Sequence, residues 1–256
     1  MSSEVMKKDT GSMALFGDDA AKGFENMTQE DMALPFVRIL GQLSPQVTDG
    51  DAKYIDGAKP GMIYNTVTSE CFDGKKGIKV IPCYYKKDYP EWSDRGDGPG
   101  APVASHLPNS PVIQTGKRDG SKIRLPNGNY LEETASYYVL VETKAGGMTP
   151  ALITMKSTQL NVSKKWNSMM KTIQIPDGKG GFAIPPMHGV VYNMQSVLQK
   201  NDKGSWYGWS VAQDRIMGQE DKTLYLTAKD FSGTASKGSV QTKADVEEKP
   251  KDSTPY

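Results

Sequence analysis

Apolar and polar positions along this 256-residue chain follow two different periods, and the switch between them defines its elements. Leu34-Pro35-Phe36-Val37-Arg38-Ile39-Leu40 is a short apolar segment, a strand or a helical turn, placed to cover the edge of a core or to contact a partner subunit. From Gly61 the period is two, the spacing of half-buried strands. Met62-Ile63-Tyr64-Asn65-Thr66-Val67-Thr68 is rich in β-formers and Asp73-Gly74 lies in a turn. Ile78-Lys79-Val80-Ile81-Pro82-Cys83-Tyr84-Tyr85 then reads as the second arm of a hairpin. Pro82 has no N–H to give a ladder, which predicts an edge or bulged strand there. Residues 93–130 are dense in Gly, Pro, Ser and Asn and read as a long loop, functional or partly disordered. Strand patterns return at 136–142 and 150–155, with Ala145-Gly146-Gly147 as the turn between them.

The period then lengthens to about 3.6. Val162, Trp166, Met169, Met170 and Ile173 form one apolar stripe, with Ser157 or Thr158 as the N-cap and Pro176 beyond the end. Trp166 therefore belongs to the core. Residues 190–197 and 206–211 form a second hairpin across Asn201-Asp202-Lys203-Gly204, and a short helix is expected at 220–231 with Leu224, Tyr225 and Ala228 on one side. This order predicts a mainly β fold with an inserted α-helix, an OB-fold-like β-barrel flanked by disordered tails. A β-sandwich with one inserted helix fits the same string. The expected organisation is a disordered acidic arm over 1–30, an OB-like nucleic-acid-binding domain over 31–235 and a disordered tail over 236–256.

Charge changes the picture locally. The formal net charge is only +1, yet residues 144–176 hold Lys144, Lys156, Lys164, Lys165 and Lys171 and no acidic residue. Such a field suits a polyanion with stackable bases, or else a solvated lysine face on an amphipathic helix. Tyr84, Tyr85, Tyr89 and Trp92 crowd the exit of the second strand, interleaved with Lys86 and Lys87. Alternation puts Trp206 on one face of the last strand and Tyr207 with Trp209 on the other. The stacking candidates are Tyr85, Trp92 and Trp206 or Tyr207. The phosphate candidates are Lys86, Lys87, Lys144, Lys164 and Lys165.

Catalytic chemistry has little support. His106 and His188 fall in segments that read as loops, and no His/Cys cluster has zinc-ligand spacing. There is no phosphate-binding GxxxxGK[ST] loop, GxSxG elbow or HExxH, so neither a cofactor nor a metal is expected. Glu132, Glu133 and Glu142 are the acidic residues a Mg²⁺ site would use, and the pattern makes them solvent-facing. Cys71 and Cys83 form no CxxC pair and suit a reducing cytoplasm as buried apolar groups. No apolar run reaches the roughly 18 residues of a membrane span, and the first 22 residues lack a secretory stretch. The expected location is the cytoplasm, with no membrane partner.

Several stretches resemble a known family. Leu34 to Leu40, Gly57-Ala58-Lys59-Pro60-Gly61, the strand from Ile78 to Tyr85, Lys156-Ser157-Thr158-Gln159-Leu160 and Lys164-Lys165-Trp166-Asn167-Ser168 are similar to single-stranded DNA-binding proteins of short-tailed, podovirus-type bacteriophages. The likeness spans roughly residues 30 to 235. It implies a non-enzymatic OB-type core that coats single-stranded DNA with little sequence preference during phage DNA replication and recombination. A homodimer and contacts with phage replication proteins are implied as well. Such proteins carry a strongly acidic C-terminal tail that recruits those partners. This chain departs there, because Lys237, Lys243, Lys249 and Lys251 balance Asp245, Glu247, Glu248 and Asp252. The alternative expectation is a phage protein-interaction or regulatory protein that acts on a host or phage partner without binding DNA.

Overall fold

In the computed structural model the described residues are 34–94, 102–202 and 204–238, with Asp19 and 22–26. Three short strands, β1 (Val37–Ile39), β2 (Ile63–Asn65) and β3 (Cys71–Phe72), form a small antiparallel sheet. The long strand β4 (Ile78–Trp92) organises the rest. After it come β5 (Ala104–His106), the one-turn helix α1 (Pro111–Thr115), β6 (Lys117–Asp119), β7 (Lys122–Arg124), β8 (Tyr130–Glu132), β9 (Thr134–Glu142) and β10 (Met148–Lys156). Helix α2 (Leu160–Thr172), β11 (Ile175–Pro176), β12 (Phe182–Ala183), β13 (Val190–Asn201), β14 (Gly204–Ile216) and helix α3 (Lys222–Ser236) complete the order.

The main sheet runs β10-β9-β4-β13-β14, antiparallel throughout, and curls into a half-barrel. Because β9 is buried on both sides, its alternate residues feed two cores. Ala135, Tyr137, Val139 and Val141 join the cluster that holds Trp166 and Met170 of α2. Tyr138 and Leu140 join the cluster that holds Ala228, Phe231 and Ala235 of α3. Each helix thus covers one face of the sheet, and both turn apolar residues inward at i, i+3, i+4 or i+7 spacing. The half-barrel stays open between the edge strands β10 and β14. Beside that gap Phe36, just before β1, makes one parallel bridge to Leu152, and the Leu152 N–H donates to the Pro35 carbonyl at 2.8 Å.

Several expectations change. Strand β2 ends at Asn65, because the Asn65 side chain accepts the Val67 and Thr68 N–H groups at 3.0 and 3.1 Å and turns the chain. It therefore pairs with β1 and β3, and the predicted hairpin with β4 does not form. Pro82 does sit at a bulge, with a register shift between Pro82 and Tyr84, but in an interior strand. The predicted loop at 93–130 contains β5 to β8 and α1. Its short strands share a small core of Tyr89, Ile123, Leu125 and Leu131, and His106 lies on β5.

Helix α2 appears as expected, and Trp166 is fully buried. Neither Ser157 nor Thr158 caps it. Ser157 instead takes a left-handed φ of 52° in the 3₁₀ turn that leaves β10. Helix α3 continues to Ser236, drawn on by burial of Phe231 and Ala235. The predicted disordered arm and tail fall almost wholly outside the described residues. Burial pushes the Cys83 thiol up to about 12, so this cysteine acts as a small apolar group, while Cys71 is half-buried. Among the described residues no helix is long and apolar enough to cross a membrane.

Candidate functional site

Alternation along β4 aims Lys86, Asp88, Pro90 and Trp92 at the face that α3 covers further along. At this end the helix is absent, and Thr134 and Ser136 of β9 with Leu152, Thr154 and Lys156 of β10 complete the floor of a cavity of about 560 Å³. A second cavity of about 370 Å³ opens beside it in the gap between β1, β10 and β14, walled by Arg38, Gln159, Tyr207 and Trp209. Phe36, Trp92, Thr154 and Lys156 line both, so the two form one groove.

Its chemistry mixes rings and charges. Trp92 sits at the junction, with the Lys156 ammonium 5.7 Å from its ring centroid. Lys156 also pairs with Glu132 at 2.8 Å, and Lys86 with Asp88 at 3.2 Å. The Arg38 guanidinium lies 5.8 Å from the Tyr64 ring. Two glycines make the wall possible. Gly61 has φ +88°, and a Cβ there would come within 2.5 Å of the Tyr207 ring; at Gly208 it would come within 2.4 Å of Gln159 Nε2. The Gln159 side-chain carbonyl accepts the Trp209 N–H at 2.8 Å. The Gln159 amide nitrogen and the Trp92 indole N–H are buried without a hydrogen-bond partner among the described residues.

Of the nine residues singled out from the sequence, Lys86, Trp92 and Tyr207 meet in this groove. Tyr85 points to the opposite face, half-buried with its ring 5.1 Å from Tyr137. Lys87 is on that face too, paired with Glu133 at 2.6 Å, and this hydrogen bond raises its pKa above the ordinary lysine value. Lys164 lines a separate pocket there. Lys144, in the β9–β10 turn, Lys165, exposed on α2, and Trp206, half-buried on β14, line neither cavity of the groove. Sequence reasoning missed Phe36, Arg38, Lys156 and Gln159. Lys156 lay inside the acid-free stretch, and period two from Leu152 and Thr154 places it on their face. Its junction with Trp92 depends on the β4–β9–β10 register, which no local pattern encodes.

Glu132, Glu133 and Glu142 do not converge: they take Lys156, Lys87 and the Lys79 N–H respectively. Beyond the groove, the Glu91 carboxylate is buried among Asn129 at 2.6 Å, His106 at 2.7 Å and Asn127 at 3.1 Å. The Asn129 hydrogen bond, aided by His106 and Asn127, holds Glu91 below its ordinary value of 4.5. A depressed carboxylate contributes stability above the unfolded value and loses it as pH falls through the folded one. Glu91→Gln should therefore flatten the decline of the thermal midpoint below about pH 4.5. An acid limb identical to that of the unaltered protein would mean the cluster contributes nothing.

Comparison with known families defines the class as a bacteriophage protein. The chain belongs to the Pam3 phage gp34-like protein family, whose model matches residues 7–241. No curated protein and no solved structure matches it.

Proposed function

We propose that this phage protein binds single-stranded DNA in the groove, without catalysis and with little sequence preference, during phage DNA replication or recombination in the host cytoplasm. The observation that carries this is the shared lining of the two cavities. Phe36, Trp92 and Lys156 place two rings and an ammonium along one continuous channel, with Lys86 at one end and Tyr207 and Arg38 at the other. Rings stack on any base, while amino groups track phosphates and release counterions. In this proposal the half-barrel with α2 beneath it is an OB-like scaffold.

The test is tryptophan fluorescence titrated with oligo-dT and with duplex of equal length across a salt series. Quenching by the single strand alone is expected, with log K falling by about 0.7 per contacted phosphate for each decade of salt. Equal affinity for duplex would reduce the groove to a generic basic patch, and no binding at low salt would remove the proposal.

A second proposal, a protein-interaction or regulatory role on a host or phage partner, is favoured by one feature. Both groove lysines are ion-paired, which leaves the channel close to neutral. A stable protein partner together with no oligonucleotide affinity would decide for it.

A further inference from the structure

We propose that a single strand lying in the groove continues over the corner of the sheet at Lys156 and Ser157. It then sets a backbone phosphate into a pocket on the opposite face, between Arg118 and Lys164. This rests on single-strand binding in the groove. The corner is where β10 ends. Lys156 lines the groove, and the next residue, Ser157, lines the second pocket, a cavity of about 220 Å³ between the β6–β7 hairpin and the start of α2. The left-handed φ of 52° at Ser157 turns the chain there, so the rims of the two cavities lie one residue apart.

The acidic residues at this corner divide in the same way. Glu132 holds Lys156 on the groove side, and Glu133, which lines the second pocket, is neutralised by Lys87. Arg118 and Lys164 remain. Both are exposed, and neither is ion-paired among the described residues, so they give the pocket its net positive charge. Ser121, Ser157 and Asn161 add neutral donors. An arginine fork with a lysine point charge is the chemistry that takes a phosphate oxyanion, and it carries no base information. Such a contact lengthens the footprint of the strand without adding sequence preference.

The experiment compares the full-length protein with the Arg118→Ala/Lys164→Ala double variant on oligo-dT of increasing length. Both side chains are exposed, so the variant should fold, and circular dichroism checks this. The shortest oligonucleotides that quench fluorescence should bind both proteins equally. Longer ones should bind the variant more weakly, with the slope of log K against log salt reduced by about 0.7 for one lost phosphate contact. Unchanged slopes at every length, with normal binding by the unaltered protein, would overturn the path over the corner but leave the groove intact. No binding by the unaltered protein at low salt would overturn both. Inorganic phosphate separates a free-anion site from a strand contact. If it shifts the Ser121 and Ser157 amide resonances and oligo-dT does not, the pocket takes free anions and the path is wrong.

Discussion

Trp92→Ala should weaken oligo-dT binding by about tenfold or more and remove much of the fluorescence quenching. A base stacked on an aromatic ring contributes about 1–3 kcal/mol, and Trp92 is, with Phe36, one of the two rings that line both cavities of the groove. Its position also makes it the place where Lys156 approaches, so losing the indole leaves that ammonium without its ring. The matched control is Trp206→Ala. Trp206 is two residues from Gly204 at the start of β14 and lines neither cavity, so its removal should leave affinity within about twofold. Equal losses in the two variants would show that quenching reports a global change. Full affinity in a folded Trp92→Ala protein would place the site elsewhere.

The contrast between these two tryptophans shows what sequence could and could not supply. Both sit beside residues of the right kind, and both passed as stacking candidates. Period two assigned faces correctly within β14, since Tyr207 and Trp209 share the wall of the second cavity. It could not say which face borders a groove, because that depends on strands far away in the chain. The β4–β9 ladder, Lys86 against Ser136 and Asp88 against Thr134, fixes the floor. Long segments dense in β-formers, such as β9, β10 and β13, were legible because many consecutive residues carry one signal. The strands of three residues at 104–132 hold a single alternation each and read as loop. Their packing around Leu131 and Ile123 is a tertiary property. The N-cap of α2 failed for a related reason. Ser157 has a capping side chain, but the chain needs that position to turn the corner out of β10. The basic stretch was a fair signal for charge and a poor one for place, since Lys144, Lys156, Lys164 and Lys165 disperse to different surfaces.

Trp166→Ala should be the most destabilising single truncation in the α2 interface, costing about 3–5 kcal/mol. The indole is fully buried, stacked 4.3 Å from the Tyr137 ring and edge-on to Tyr192 at 5.5 Å. Tyr137 in turn ties its hydroxyl to α2, accepting from or donating to the Ser163 hydroxyl at 2.7 Å and lying 2.9 Å from the Asn167 side-chain oxygen. Burial raises the Tyr137 pKa, so the phenol stays a neutral hydrogen-bonding group over the whole working range of pH. Removing the indole opens a cavity between the sheet and the helix and strips the ring contacts from both tyrosines. Tyr137→Phe, which keeps the rings and removes only the hydroxyl, should cost about 0.5–1.5 kcal/mol. Chemical denaturation of the two variants separates packing from hydrogen bonding, and a loss below about 1 kcal/mol for Trp166→Ala would mean that α2 is not anchored through this residue. The consequence reaches the groove. Gln159, which holds the Trp209 N–H, and the corner at Lys156 and Ser157 lie just before α2. A helix loosened at Trp166 should therefore release the wall between β10 and β14, and oligo-dT affinity should fall together with stability. In the Tyr137→Phe protein the indole remains, and affinity should be kept.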